Sequence, residues 1–247
     1  MHCAVIGAPI AHSLSPNLHH AFAKKAGIAL KYTRILLDEA RFEAQVQGFF
    51  RGGGTGLSVT SPGKMPAFAL ADVKTKRSIA SNAANTLWQD ATGKIHADNT
   101  DGEGLVRDLT HKKIVLEDAK VLILGAGGAV HNILPSLLAE KPACIHIYNR
   151  TASRAQALCK AFDVACAPHT NQLAYDLILN ASGARTDVAY VLKGTPFCYD
   201  LSYDISGVTS FTRFAHKQGF KESDGFGMLV EQAILAFARF RQQYSSD

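Results

Sequence analysis

The chain has 247 residues, enough for one large domain or two modest ones that each bury a core. Its 47% hydrophobic and 19% charged content excludes a disordered chain. The net charge of +5 is spread along the sequence, with Lys74, Lys76 and Arg77 its densest cluster, which argues against nucleic-acid binding and suits an anionic small molecule. Cys3, Cys144, Cys159, Cys166 and Cys198 are odd in number and contain no CxxC pair. They read as small buried hydrophobes in a reducing compartment, not as a disulfide framework or a metal site. The first residues enter directly into a strand-like run, and no apolar run approaches about 18 residues, so a cytoplasmic protein without membrane contact is expected.

In chain order, the stretch from Cys3 to Ile6 reads as a first strand. A helix follows, with Ser15 as its N-cap, Pro16 at its first position and Gly27 past its end. Ser13 and Ser15 could also form a neutral cradle for a carboxylate at that helix start. Lys31 to Leu37 form a second strand. Asp38 caps a helix with Phe42, Val46 and Phe49 on one face, and Gly52 to Gly54 end it. A strand from Gly56 to Thr60 stops at Pro62 and leaves Lys64 in the following turn; taken alone, such a lysine reads as a solvated charge. Asn85 to Trp88 and Lys94 to Ala97 form a hairpin. Asp101 stands at a helix start, where the dipole favours an acidic group, and Asn99 and Asp101 lie where the chain leaves its first unit.

The stretch from Lys120 to Arg154 is the strongest local signal. Val121 to Leu124 are an apolar strand, followed at once by Gly125, Gly127 and Gly128, a helix of about a dozen residues and a second apolar strand, Cys144 to Tyr148. Glycines in such a turn let the backbone approach a pyrophosphate, and the helix start directs its free N–H groups at the same phosphates. A fold selective for NAD carries Asp or Glu after the second strand. Here Asn149, Arg150 and Thr151 stand there, with Arg154 one turn on, and two guanidiniums can grip a 2′-phosphate; NADP is therefore the expected cofactor. Asp176 to Asn180 and Phe197 to Leu201 are further buried strands, and a helix lies between Thr209 and Phe220. The amphipathic segment GMLVEQAILAFARF closes the chain, with Leu229, Ala233, Ala236 and Phe240 near one face and Gln232 beside it.

These pieces resemble the shikimate dehydrogenase family, carried in order by SLSP, VTSPGK, NTL, NTDGEG, GAGGA, NRT and GMLVEQA. The resemblance spans nearly the whole chain. It implies an α/β protein of two domains: an N-terminal α/β substrate-binding domain at 1–99, a Rossmann NADP-binding domain at 100–223, and a C-terminal helix at 224–247 returning to the substrate domain. It implies reversible reduction of 3-dehydroshikimate with NADPH in chorismate and aromatic amino-acid biosynthesis. By this resemblance Lys64 and Asp101 are the catalytic pair. Ser13 and Ser15 hold the substrate carboxylate with Tyr203 nearby, and Thr60, Asn85 and Gln232 line the ring hydroxyls. Gly125, Ala126, Gly127, Gly128, Ala129, Asn149, Arg150, Thr151, Arg154 and Met228 serve NADP. No metal is implied, and His19 and His20, adjacent on a helix, point apart. A monomer or homodimer acting on a small molecule is expected, with a quinate or amino-shikimate paralogue and a non-catalytic NADP sensor as alternatives. The chain departs from the family pattern at Ser58 and Gly63, at Val130 and His131, at Asp204 and Ile205, and from Ala181 to Arg185.

Overall fold

The computed structural model describes residues 1–167, 174–183 and 194–244. The chain forms two compact units, one of Met1–Gly104 with Val230–Asp247, the other Leu105–Leu229.

The first unit contains β1 (His2–Gly7), α1 (Ser15–Lys25), β2 (Lys31–Leu36), α2 (Phe42–Arg51), β3 (Gly56–Val59), α3 (Lys64–Leu70), β4 (Val73–Lys74), α4 (Lys76–Ser81), β5 (Thr86–Gln89) and β6 (Ile95–Asp98). Its six strands lie in the order β2-β1-β3-β5-β6-β4, with β5 antiparallel to both its neighbours and the other pairings parallel. Successive residues of a strand face opposite sides, so β1 sends Ala4 and Ile6 into a core with Phe42, Val46 and Phe50, and Cys3 and Val5 into one with Tyr32, Trp88 and Phe240. Phe50 therefore takes the buried position expected of Phe49, which is only partly buried. Asp38 caps the short 3-10 turn before α2, its carboxylate accepting from the Ala40 N–H at 3.0 Å.

Two local expectations need correction. Ser15 is the first residue of α1 and Leu14 is its cap, which makes no side-chain capping bond. The Ser13 hydroxyl takes that role in part, accepting the Ser15 N–H at 3.3 Å. Lys64 opens α3 instead of lying in a turn. Seven residues are too few to display helical periodicity, and Pro66 falls in the first turn, where its missing N–H has no intrahelical partner to lose.

His19 is buried on α1 among Tyr32, Phe22, Phe237 and Phe240, with ring centroids 4.6 to 5.9 Å away, and its Nδ1 has no hydrogen-bond partner. Burial, helped by the neighbouring His20, lowers its pKa to about 3. The unfolded chain thus binds a proton near pH 6.5 that the folded chain refuses until about pH 3, so stability present above the unfolded value is lost as pH falls through that window. Linkage gives a loss of about 2 kcal/mol between pH 7.5 and pH 5. Urea midpoints at the two pH values should show that loss, and His19→Phe should flatten it.

The second unit holds β7 (Lys120–Leu124), α6 (Gly128–Ala139), β8 (Cys144–Tyr148), α7 (Ala152–Phe162), β9 (Ala165–Cys166), β10 (Leu177–Asn180), β11 (Phe197–Asp200), α8 (Ser210–Lys217) and β12 (Glu222–Ser223). All pairings in its sheet are parallel, in the order β12-β11-β10-β7-β8-β9. Val121 and Ile123 face one core with Val130, Ile133 and Leu134; Leu122 and Leu124 face another with Phe211 and Ala215. Val130 thus packs inward, and His131 sets its ring edge-on to Phe162.

The chain passes between units inside two continuous helices, α5 (Asp101–His111) and α9 (Phe226–Tyr244), at Gly104 and Leu229. The divisions therefore lie five or more residues beyond the expected 99/100 and 223/224, because a helix that spans a boundary leaves no loop composition to mark it. On α9 the buried face is Ala233, Ala236, Phe237 and Phe240, while Leu229 is only half-buried. Cys3, Cys159 and Cys198 are buried as expected of small hydrophobes, but Cys144 is half-buried; Cys166 is exposed, and among the described residues its two-residue strand β9 lies at the edge of the sheet. Among the described residues no helix is long and apolar enough to cross a membrane, and no group of three His, Cys, Asp or Glu could hold a metal.

Candidate active site

Strand direction gathers most of the first unit's candidates on one edge of its sheet. The parallel strands β1, β3 and β6 end there, leading to Ser13 and Ser15, to Thr60 and Lys64, and to Asp101; antiparallel β5 begins there, immediately after Asn85. The carboxyl ends of parallel strands in open α/β sheets are where ligands bind, because chain reversals leave a crevice there.

Lys64, Asn85, Asp101 and Gln232 are joined directly. The Lys64 ammonium donates to Asp101 Oδ2 at 2.5 Å, and Asn85 Nδ2 donates to Asp101 Oδ1 at 2.7 Å. Both carboxylate oxygens are therefore held. Asn85 Nδ2 also faces Thr100 Oγ1 at 2.9 Å and Gln232 Oε1 at 3.3 Å, while its Oδ1 accepts from the Thr100 N–H and the Thr86 hydroxyl. Lys64 is fixed from its own backbone as well, since its carbonyl accepts from the Ala84 N–H at 2.9 Å. Asp101 is nearly buried and Lys64 mostly so. An ammonium anchored by a carboxylate in partial isolation from water can deliver a proton to an oxygen placed beside it.

Gln232, which alone could have been an ordinary exposed helix polar residue, is drawn in because α5 and α9 approach closely. A Cβ at Gly104 would lie 2.8 Å from both the backbone nitrogen and the Cβ of Gln232, so only glycine allows this contact. Thr100 completes the join, its hydroxyl donating to the Gln232 carbonyl at 3.1 Å.

Ser13 and Ser15 pair through their hydroxyls at 3.2 Å, and Arg34 donates to the Ser13 carbonyl at 2.7 Å. Ser58, a departure from the family pattern, accepts from the buried Tyr32 hydroxyl at 2.8 Å. Tyr203 and Met228 belong to the second unit: Tyr203 lies edge-on to Phe226 at 6.4 Å, and the Met228 N–H donates to the Tyr199 hydroxyl.

The second unit carries a cleft of about 310 Å³ lined by Leu124, Gly125, Ala126, Gly127, Tyr148, Asn149, Arg150, Thr151, Arg154, Ala181 and Ser182. It opens where β7 and β10 lie side by side and the strand order reverses. Gly125 has φ +117°, and an added Cβ would meet the Ala181 backbone at 2.8 Å, so the turn requires glycine on both counts. Gly128 and Ala129 form the first residues of α6, with Gly127 as its cap. Asn149 donates to the Thr151 carbonyl at 3.0 Å, which shapes the turn carrying Arg150, and both arginines are exposed. Among the described residues, no carboxylate lines the cleft. Leu124, Tyr148, Ala181 and Ser182 were not among the sequence candidates; Ala181 and Ser182 reach the cleft because β10 pairs with β7, a neighbour 53 or more residues away in the chain that local periodicity does not reveal. Ala184 and Arg185 of the departing segment lie outside the described residues.

A parallel sheet in this strand order, with a glycine turn at its switch point, and a second α/β unit carrying a lysine–carboxylate pair define a two-unit, dinucleotide-dependent oxidoreductase. Residues 5–87 match the family described as Shikimate dehydrogenase substrate binding domain, and residues 108–189 that described as Shikimate / quinate 5-dehydrogenase. The chain belongs to the shikimate dehydrogenase family. It is 45% identical over 242 residues to shikimate dehydrogenase (NADP(+)) of Legionella pneumophila strain Lens, covering 95% of this chain and 91% of that one. Among solved structures it is similar to an Ael1 enzyme from Pseudomonas putida, at 37% identity and TM-score 0.87 over 98% of this chain and 93% of that one. It is likewise similar to shikimate 5-dehydrogenase from Thermus thermophilus in complex with NADP(H) and shikimate, at 30% identity and TM-score 0.86 over 98% and 94%.

Proposed function

We infer that the protein reversibly reduces 3-dehydroshikimate to shikimate with NADPH, as a step of chorismate and aromatic amino-acid biosynthesis, with Lys64 and Asp101 as its catalytic pair. The observation that carries this reading is the Lys64–Asp101 bond tied through Asn85 to Gln232. The cleft of the second unit fits NADP: its glycine turn leaves room for a diphosphate, and Arg150 and Arg154 offer guanidiniums to a 2′-phosphate, with no carboxylate among the described lining residues. When bound, NADPH supplies the hydride.

The chain's own residues supply the rest. As the substrate ketone becomes an alkoxide, the Lys64 ammonium stabilises the developing charge and gives its proton to that oxygen; in the reverse direction Lys64 takes the proton back. Asp101 holds the ammonium in place and offsets its charge. Asn85, Gln232 and Thr60, which follows β3, orient ring hydroxyls, and the Ser13 and Ser15 hydroxyls receive the substrate carboxylate. Met228 and the Gly125–Ala129 turn serve the cofactor.

Absorbance at 340 nm with shikimate and NADP tests the reading. Turnover with shikimate well above that with quinate is expected; folded protein that binds NADP in a calorimeter and turns over neither would instead be a sensor. A cytoplasmic location belongs to the same reading and is supported by the free thiols. The monomer or homodimer expected with it is read by light scattering.

Gly104→Ala tests the seat of Gln232. The new methyl must push α9 outward at that residue, and a displacement on the order of 1 Å is expected to cost up to about a hundredfold in kcat/KM for shikimate. Steady-state kinetics with NADP held saturating would read it.

A further inference from the structure

Asp98 is a fully buried carboxylate at the end of β6. Arg77 of α4 grips it through Nε at 3.1 Å and Nη2 at 2.6 Å, the Thr75 hydroxyl donates at 2.7 Å, and the Asn99 N–H donates at 2.8 Å. A further cation reaches the same group: Arg239 of α9 donates from Nε to Asp98 Oδ2 at 3.3 Å, with its guanidinium 5.7 Å from the centre of the Trp88 ring. Trp88 is itself stacked on His96 at 5.2 Å. One carboxylate therefore binds the segment that runs on to Asp101 and also the helix that carries Gln232.

Arg239 lies seven residues after Gln232, two helical turns along nearly the same face. The apolar residues of that face, Ala233, Ala236 and Phe240, turn it toward the sheet, but apolar contact is non-directional and resists sliding along the helix axis only weakly. A charged hydrogen bond to a carboxylate already held by Arg77 has direction and a fixed end. We propose that Arg239, pinned to Asp98 and stacked over Trp88, is a positioning residue that sets the axial register of α9 and so holds Gln232 in the substrate site. The inference rests on the reading that Gln232 binds substrate.

The experiment is a double-mutant cycle on the full-length enzyme with Arg239→Ala and Gln232→Ala, reading kcat, KM for shikimate and KM for NADP. Arg239→Ala alone is expected to raise KM for shikimate about five- to tenfold, the scale of one misplaced hydrogen bond, with KM for NADP unchanged. Added to Gln232→Ala, it should contribute less than about twofold, because its effect passes through a side chain already removed. Arg239→Lys, which keeps a cation for Asp98, should recover most of the loss. Asp98 keeps both Arg77 bonds in every variant, so the fold has its main ion pair. Multiplicative effects in the double variant, or a lowered melting temperature with unchanged KM for shikimate in Arg239→Ala, would overturn the proposal. An inert Gln232→Ala would instead overturn the assignment of Gln232 to the substrate site.

Discussion

Lys64→Ala is expected to lower kcat by about a hundred- to ten-thousandfold, the range for loss of a positioned acid–base group, while KM for shikimate shifts far less. The separation follows from where the side chain acts. In the proposed mechanism Asn85, Gln232 and the two serines remain to bind the ground state, whereas the charge that Lys64 is proposed to meet exists fully only as the alkoxide forms. Asp101 keeps its second anchor, the Asn85 amide at 2.7 Å, so the variant retains the local scaffold. Single-turnover and steady-state rates at 340 nm measure the effect directly. Activity equal to the parent would remove Lys64 from the mechanism.

Arg150→Asp is expected to reverse the cofactor preference. Losing one charge-assisted bond to a 2′-phosphate costs about ten- to a hundredfold in affinity, and the new carboxylate repels that phosphate while offering an acceptor to the two ribose hydroxyls of NAD. The ratio of kcat/KM for NADP over NAD should therefore fall by at least that factor, with KM for shikimate unmoved. Arg154 lies on the first turn of α7 and lines the same cleft, so Arg154→Ala should give a smaller drop of the same sign. An unchanged ratio in Arg150→Asp would contradict the assignment of the 2′-phosphate to this turn.

Much of the second unit was legible in the sequence because its signals are local. The strand before Gly125, the helix after it and the Asn149–Arg154 turn occupy one short stretch, and glycine, apolar runs and a missing carboxylate each carry their meaning without a distant partner. The first unit was legible as alternating strands and helices, but its site was less so. Lys64 looked like an ordinary turn lysine because the helix it opens is only seven residues long. Cys166 looked like a core thiol because nothing local says that its strand ends the sheet. Ser15 has the composition of a cap, yet the cap is Leu14, since the serine hydroxyls turn toward each other.

Short contiguous segments are enough to show that a dinucleotide site is present, that its charge suits NADP, and which residue types are available for acid–base chemistry, because each of these depends on local chemistry alone. Folding brings Lys64 to Asp101 across 37 positions and Asn85 to Gln232 across 147. Folding also requires glycine at Gly104 for Gln232 to approach, and it sets Asp98 between Arg77 and Arg239. Those contacts are set by strand order and helix packing, which sum weak apolar preferences over the whole chain, so no local pattern carries them.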